Sequence, residues 1–152
     1  MMENPVLRRL RELTDFEVAD GNPDVRGWAV RGGDGQRLGV VHELIVELQA
    51  LKVRYLDVEL DARLRPSDSH ETHILLPIGV AALDAEDDNV FVPALTAESV
   101  RKYPPYTEIN ITRDYEETML RALGLDPPAA GGSFYERDSY DAGRFYQRPP
   151  IG

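Results

Sequence analysis

The strongest constraint on the fold is one eight-residue segment, Val53-Arg54-Tyr55-Leu56-Asp57-Val58-Glu59-Leu60. Val53, Tyr55, Asp57 and Glu59 fall on one parity, and Arg54, Leu56, Val58 and Leu60 on the other. That period of two predicts a β-strand. A strand needs partners, and the chain supplies them on both sides. Trp28-Ala29-Val30-Arg31 is short and follows the turn-rich Asp20-Gly21-Asn22-Pro23-Asp24. Leu38 to Leu48 is a long strand candidate, and His73-Ile74-Leu75-Leu76-Pro77 is another apolar run. Val80 to Leu83 and Asn89 to Val92 flank Asp84-Ala85-Glu86-Asp87-Asp88, which predicts a hairpin. Gly32-Gly33-Asp34-Gly35 signals a tight turn, because glycine tolerates positive φ. Gly39 lets its strand bend or pass close to a neighbour. Short strands at this spacing predict a small barrel or sandwich, and closure would remove exposed edges.

Helical signals lie outside this block. Pro5 to Leu13 predicts a short amphipathic helix, with Val6, Leu10 and Leu13 on one stripe and Asn4 as its cap. Such a helix packs on its own domain; the alternative is a peripheral membrane contact. Residues 97–102 predict a short helix stopped by Pro104-Pro105. Thr112 to Leu123 predicts a longer one, ended by Gly124. Its buried face is Tyr115, Met119, Leu120 and Leu123, with Glu116-Glu117 on its surface. The expected class is therefore mainly β with a minor α component (α+β): a small antiparallel barrel, a C-terminal helix and an aromatic tail. The expected divisions are 1–14 (helix), 15–110 (barrel), 111–124 (helix) and 125–152 (Pro/Gly linker and tail).

Charge and composition narrow the function. The chain has 152 residues, a net charge of −10 and no cysteine. Residues 15–110 carry nine basic and eighteen acidic side chains, so the acidity sits in the barrel block. An acidic body argues against nucleic acid as the main ligand. Lack of cysteine excludes disulfides, thiol catalysis and thiolate-bound metals. No apolar run approaches a membrane span, and the N-terminus does not resemble a secretory signal. A cytoplasmic protein is expected.

Candidate chemistry is sparse. The histidines are His42, His70 and His73. His70 and His73, with Asp68 and Glu71, could form a weak metal site, set against a solvated loop. His42 and Glu43 are adjacent in a strand, so they face opposite ways and do not pair. Glu86-Asp87-Asp88-Asn89 lacks the spacing and distal glutamate of a calcium loop. The serines have no nucleophile-elbow setting, and Arg31-Gly32-Gly33-Asp34-Gly35 is too short between glycines for a phosphate loop. The sequence assigns no catalytic residue, cofactor or metal.

The tail is the most unusual segment. Phe134, Tyr135, Tyr140, Phe145 and Tyr146 lie within thirteen positions, interleaved with acids and arginines. Tyrosine and arginine are common interface anchors. Five large rings are too many to leave in water. They are expected to be buried on their own barrel or on a second copy of the chain, and they are the candidate interaction residues.

Four ordered segments carry a resemblance. They are Asp24-Val25-Arg26-Gly27-Trp28-Ala29-Val30, Asp34-Gly35-Gln36-Arg37-Leu38-Gly39-Val40-Val41, Val53 to Leu60, and His73-Ile74-Leu75-Leu76-Pro77-Ile78-Gly79. Together they resemble the PRC-barrel family over residues 14–110. Within it they are most similar to the cytoplasmic domain of the photosynthetic reaction-centre H subunit. The resemblance implies a non-enzymatic barrel that assembles with other proteins. It does not extend to the H subunit's membrane helix or its proton path. Glu47 matches an acidic position, but the proton-conducting carboxylate falls on Ala50, and the proton-uptake histidines have no counterpart. The expected function is a scaffold acting through protein contacts, as a homodimer with a further protein partner. The alternatives are a regulatory barrel binding a metal or small molecule, and a ribosome-assembly accessory like other barrels of this type.

Overall fold

The computed structural model describes residues 7–10, 24–48, 52–65, 72–84, 88–106, 111–125, 135, 138–141 and 145. Within them, seven strands make one sheet: β1 (Leu7–Arg9), β2 (Ala29–Gly32), β3 (Arg37–Glu47), β4 (Lys52–Leu60), β5 (His73–Pro77), β6 (Ala82–Asp84) and β7 (Asn89–Val92). One α-helix, α1 (Arg113–Ala122), follows.

The spatial order is β5-β4-β3-β2-β7-β6, with β1 beside β3. Every pair is antiparallel except β2 with β7, which is parallel. The end strands β5 and β6 are joined by the single turn Ile78–Val80. A connection that short obliges the sheet to curl until its ends approach. The result is a barrel whose hydrogen-bonded ladder is not closed. Part of the outer edge of β5 is covered by Tyr106, whose N–H donates to His73 O at 2.7 Å.

Local sequence explains much of this. The turn between β2 and β3 closes on Gly35, at φ +80°. Close approach of β3 to β4 requires Gly39, where a Cβ would lie 2.1 Å from Glu59 O. Thr112 caps α1 by accepting from Tyr115 N–H at 3.1 Å. Gly124, at φ +78°, ends it while Leu125 N–H donates back to Leu120 O. Over Ser99–Lys102 the chain makes only a single 3₁₀ turn. There Thr96 and Ser99 exchange hydrogen bonds, each side-chain oxygen accepting from the other's backbone N–H. The serine hydroxyl thus supplies the acceptor that a capping-box glutamate would bring.

Over residues 7–10, the described part of the predicted 5–13 helix, the chain does not form that helix. Leu7–Arg9 is a strand, paired with Ile45 to Glu47 of β3. The reason is the length of β3: β2 covers it only over Arg37 to Val40. Its C-terminal half has a free edge, and pairing there buries Leu7 and Leu10. Satisfying a sheet edge outweighs a short segment's helix propensity.

Both faces of β3, β4 and β5 are largely buried, with His42 an exposed exception in β3. Leu44, Leu56, Val58, Ile74 and Leu76 fill the barrel interior. Ile45, Tyr55, Asp57, His73 and Leu75 lie on the other face and are also buried. That outer face is covered by α1, by Tyr103 (its hydroxyl donates to Leu75 O at 2.7 Å) and by C-terminal residues. On β2 and β7, Ala29, Arg31, Asn89 and Phe91 remain half-buried.

Candidate functional site

Two clusters occupy the covered outer face, and each depends on a bulge. Bulges insert a residue that escapes strict alternation and re-aim its side chain. In β3, Val41 opposes Val58 and Glu43 opposes Asp57, so His42 is the extra residue. In β4, Tyr55 opposes Ile45 and Val53 opposes Val46, so Arg54 is the extra residue.

The first cluster clamps the C-terminal aromatic residues. Glu116 in the first turn of α1 is fully buried. Its Oε2 accepts from Tyr55 Oη–H and from Tyr135 Oη–H, each at 2.6 Å. Its Oε1 accepts from Arg113 Nε–H at 3.1 Å. Tyr140 Oη lies 2.7 Å from Tyr55 Oη. Tyr55 spends its only hydroxyl proton on Glu116, so Tyr140 is the donor of that pair. The Tyr140 ring meets Tyr55 and Tyr135 edge to face, both at 5.2 Å between centroids. Arg54 donates to Glu47 Oε1 from Nε and Nη2, at 3.1 and 2.9 Å, and to Tyr140 O from Nη1 at 2.9 Å. The guanidinium carbons of Arg54 and Arg113 sit 5.5 and 5.8 Å from the Tyr135 ring centroid.

This cluster holds its protons. Burial pushes the Tyr55 and Tyr135 hydroxyls well above the ordinary tyrosine range, and the nearby Glu116 carboxylate adds to the shift. Burial likewise raises Tyr103 and Tyr115. Tyr55 and Tyr135 donate to the buried Glu116 carboxylate, and Tyr103 and Tyr115 donate to the backbone carbonyls of Leu75 and Pro104, so all four phenols act as structural hydrogen-bond donors.

The second cluster is His42, Asp57 and His73. His73 Nδ1 is 2.7 Å from Asp57 Oδ1, and both residues are buried. His42 is exposed, and its ring meets His73 edge to face at 4.8 Å. One donor atom from each of the three lies within 4.8 Å of the others. Two imidazoles and a carboxylate suit first-row transition metals and disfavour calcium or magnesium.

The sequence-predicted residues fall as follows. Tyr135, Tyr140 and Phe145 are buried against their own barrel. Phe134 and Tyr146 lie outside the described residues, as do Asp68, His70, Glu71, Glu86 and Asp87. Glu116, read as helix surface, is fully buried, because α1 turns that side toward Tyr55. His73 converges with His42 and Asp57, a grouping the reading missed. Strict alternation conceals it, and only a bulge at His42 brings the imidazole round.

Among the described residues, a curled seven-stranded sheet with one packed helix and the clamped Tyr135 and Tyr140 defines a small β-barrel module. The family model for the PRC-barrel domain matches residues 9–98, and the chain belongs to the PRC-barrel family. PRC-barrel domains are generally non-catalytic modules. No described helix is long and apolar enough to cross a membrane.

Proposed function

We propose that this PRC-barrel protein is a non-enzymatic, cytoplasmic scaffold that works through protein contacts and forms a homodimer. The observation that supports this most is the aromatic socket. Tyr55, Arg54 and Glu116 bind Tyr135 and Tyr140 through hydrogen bonds, edge-to-face rings and a guanidinium contact. This is the chemistry of an interface hot spot, built within one chain. Residues 125–132, rich in proline, glycine and alanine, span at most about 26–29 Å when extended. The socket of one copy is then within reach of the C-terminal segment of another. Phe134, Tyr135, Tyr140, Phe145 and Tyr146 are the interaction residues of this reading, exchanged between two copies at equivalent sites. The half-buried Ala29 and Phe91 on β2 and β7 offer the barrel's own contact face.

Light scattering on the full chain and on a chain lacking residues 133–152 tests the proposal. The expected result is a dimer that weakens on truncation, with the melting temperature falling by several degrees. A full chain that is strictly monomeric at all concentrations refutes the dimer. A truncated chain with unchanged size and melting point refutes the socket's role.

A further inference from the structure

We propose that His42, Asp57 and His73 form a binding site for one zinc ion. The three residues come from the adjacent strands β3, β4 and β5. Asp57 and His73 share the outer face of the sheet, as their registers with Leu75 and Glu59 require. His42 joins them only because it is the extra residue of the β3 bulge. A buried Asp–His hydrogen bond needs no third donor. The bulge nevertheless brings a second imidazole edge-on to the first, with the three donor atoms within 4.8 Å of one another.

The chemistry favours zinc over hard cations. Neutral imidazole nitrogen is a borderline donor, and calcium and magnesium take oxygen ligands. Zinc accepts His and Asp together at about 2.0–2.2 Å, with three protein ligands and a water in its open form. Ligands around a tetrahedral ion at those distances stand about 3.3 Å apart. His73 Nδ1 and Asp57 Oδ1 lie at 2.7 Å, so an ion replacing the proton they share needs a modest widening of that pair. His42 is exposed and can swing inward from its present position with little packing loss. Its exposure also leaves an approach from solvent and a place for the water. The buried pair supplies rigidity and the exposed histidine supplies access. Such a site binds reversibly and suits regulation or local stiffening of the barrel wall. It does not depend on the proposed dimer.

The test uses the full chain stripped of metal with a chelator, then titrated with zinc chloride by calorimetry. Cobalt(II) absorption serves as a second readout of nitrogen–oxygen ligation. The expected result is one zinc per chain, with a rise in melting temperature. His42→Ala is expected to weaken zinc binding at least tenfold while circular dichroism of the metal-free chain stays unchanged. His70→Ala, the remaining histidine of the chain, is the control and is expected to leave affinity intact. No saturable one-to-one binding overturns the proposal. So does unchanged affinity in His42→Ala, or a loss confined to His70→Ala, which would make His70 and not His42 the ligand.

Discussion

Raising the pH should unfold this protein through its buried tyrosines. Tyr55, Tyr103, Tyr115 and Tyr135 all titrate above the ordinary value of 10.0 in the folded chain, chiefly because burial disfavours the phenolate. The folded state therefore keeps four protons that the unfolded state releases above pH ~10. Their stabilising contribution is complete below that pH and is lost as pH climbs toward the folded-state values. Each such phenol costs about 1.4 kcal/mol of stability per pH unit in this window. Four of them together remove on the order of 5 kcal/mol by pH ~11. A domain's whole stability is about 5–15 kcal/mol, so unfolding is expected between about pH 10.5 and 12. The assay follows phenolate absorbance and far-ultraviolet circular dichroism on the same samples. Ionisation of these tyrosines should coincide with loss of the β signal, in one steep step. Tyr135→Phe should make the slope shallower by about 1.4 kcal/mol per pH unit. Gradual ionisation of all tyrosines near pH ~10, with the β signal intact, would refute the argument, because it would mean that these phenols reach water.

Glu116→Ala leaves the buried Tyr55 and Tyr135 hydroxyls without their carboxylate acceptor and should cost about 3–6 kcal/mol in chemical denaturation. Glu117→Ala removes only a 3.7 Å surface pair with Arg121 and should cost under about 0.5 kcal/mol; equal effects of the two would contradict the clamp. Gly39→Ala drives a Cβ against the backbone oxygen of Glu59, which cannot move without parting β3 from β4, and should cost about 3 kcal/mol or more. Gly35→Ala, with open space around it but φ +80°, should cost only about 1–2 kcal/mol, and melting curves of the two variants separate contact from backbone strain.

Features that depend on a few neighbouring residues were legible in the chain. The alternation of Val53 to Leu60 became β4, and His73 to Pro77 became β5 with the same bounds. The glycine-rich turn before β3, the hairpin strands β6 and β7, and the Thr112 and Gly124 ends of α1 follow from backbone preferences that act over a single turn. The close passage at Gly39 was also readable, since a missing side chain marks where another backbone can approach.

What required the tertiary structure is everything set by partners distant in sequence. Nothing local tells Leu7–Arg9 that β3 has an uncovered edge, so a segment with helical spacing became a strand. Nothing local makes β2 and β7 parallel. Period-two reading gives one buried face to β4, yet both are buried, because α1 and the C-terminal residues roof the side that carries Tyr55 and Asp57. That roof turned Glu116 from a surface residue into the acceptor at the centre of the clamp. The two bulges matter most, for they break the alternation on which the reading rests. They turn His42 toward Asp57 and His73, and Arg54 toward Tyr140. A bulge is an extra residue on one strand set opposite a single residue of its partner, so it exists only once the two strands are paired.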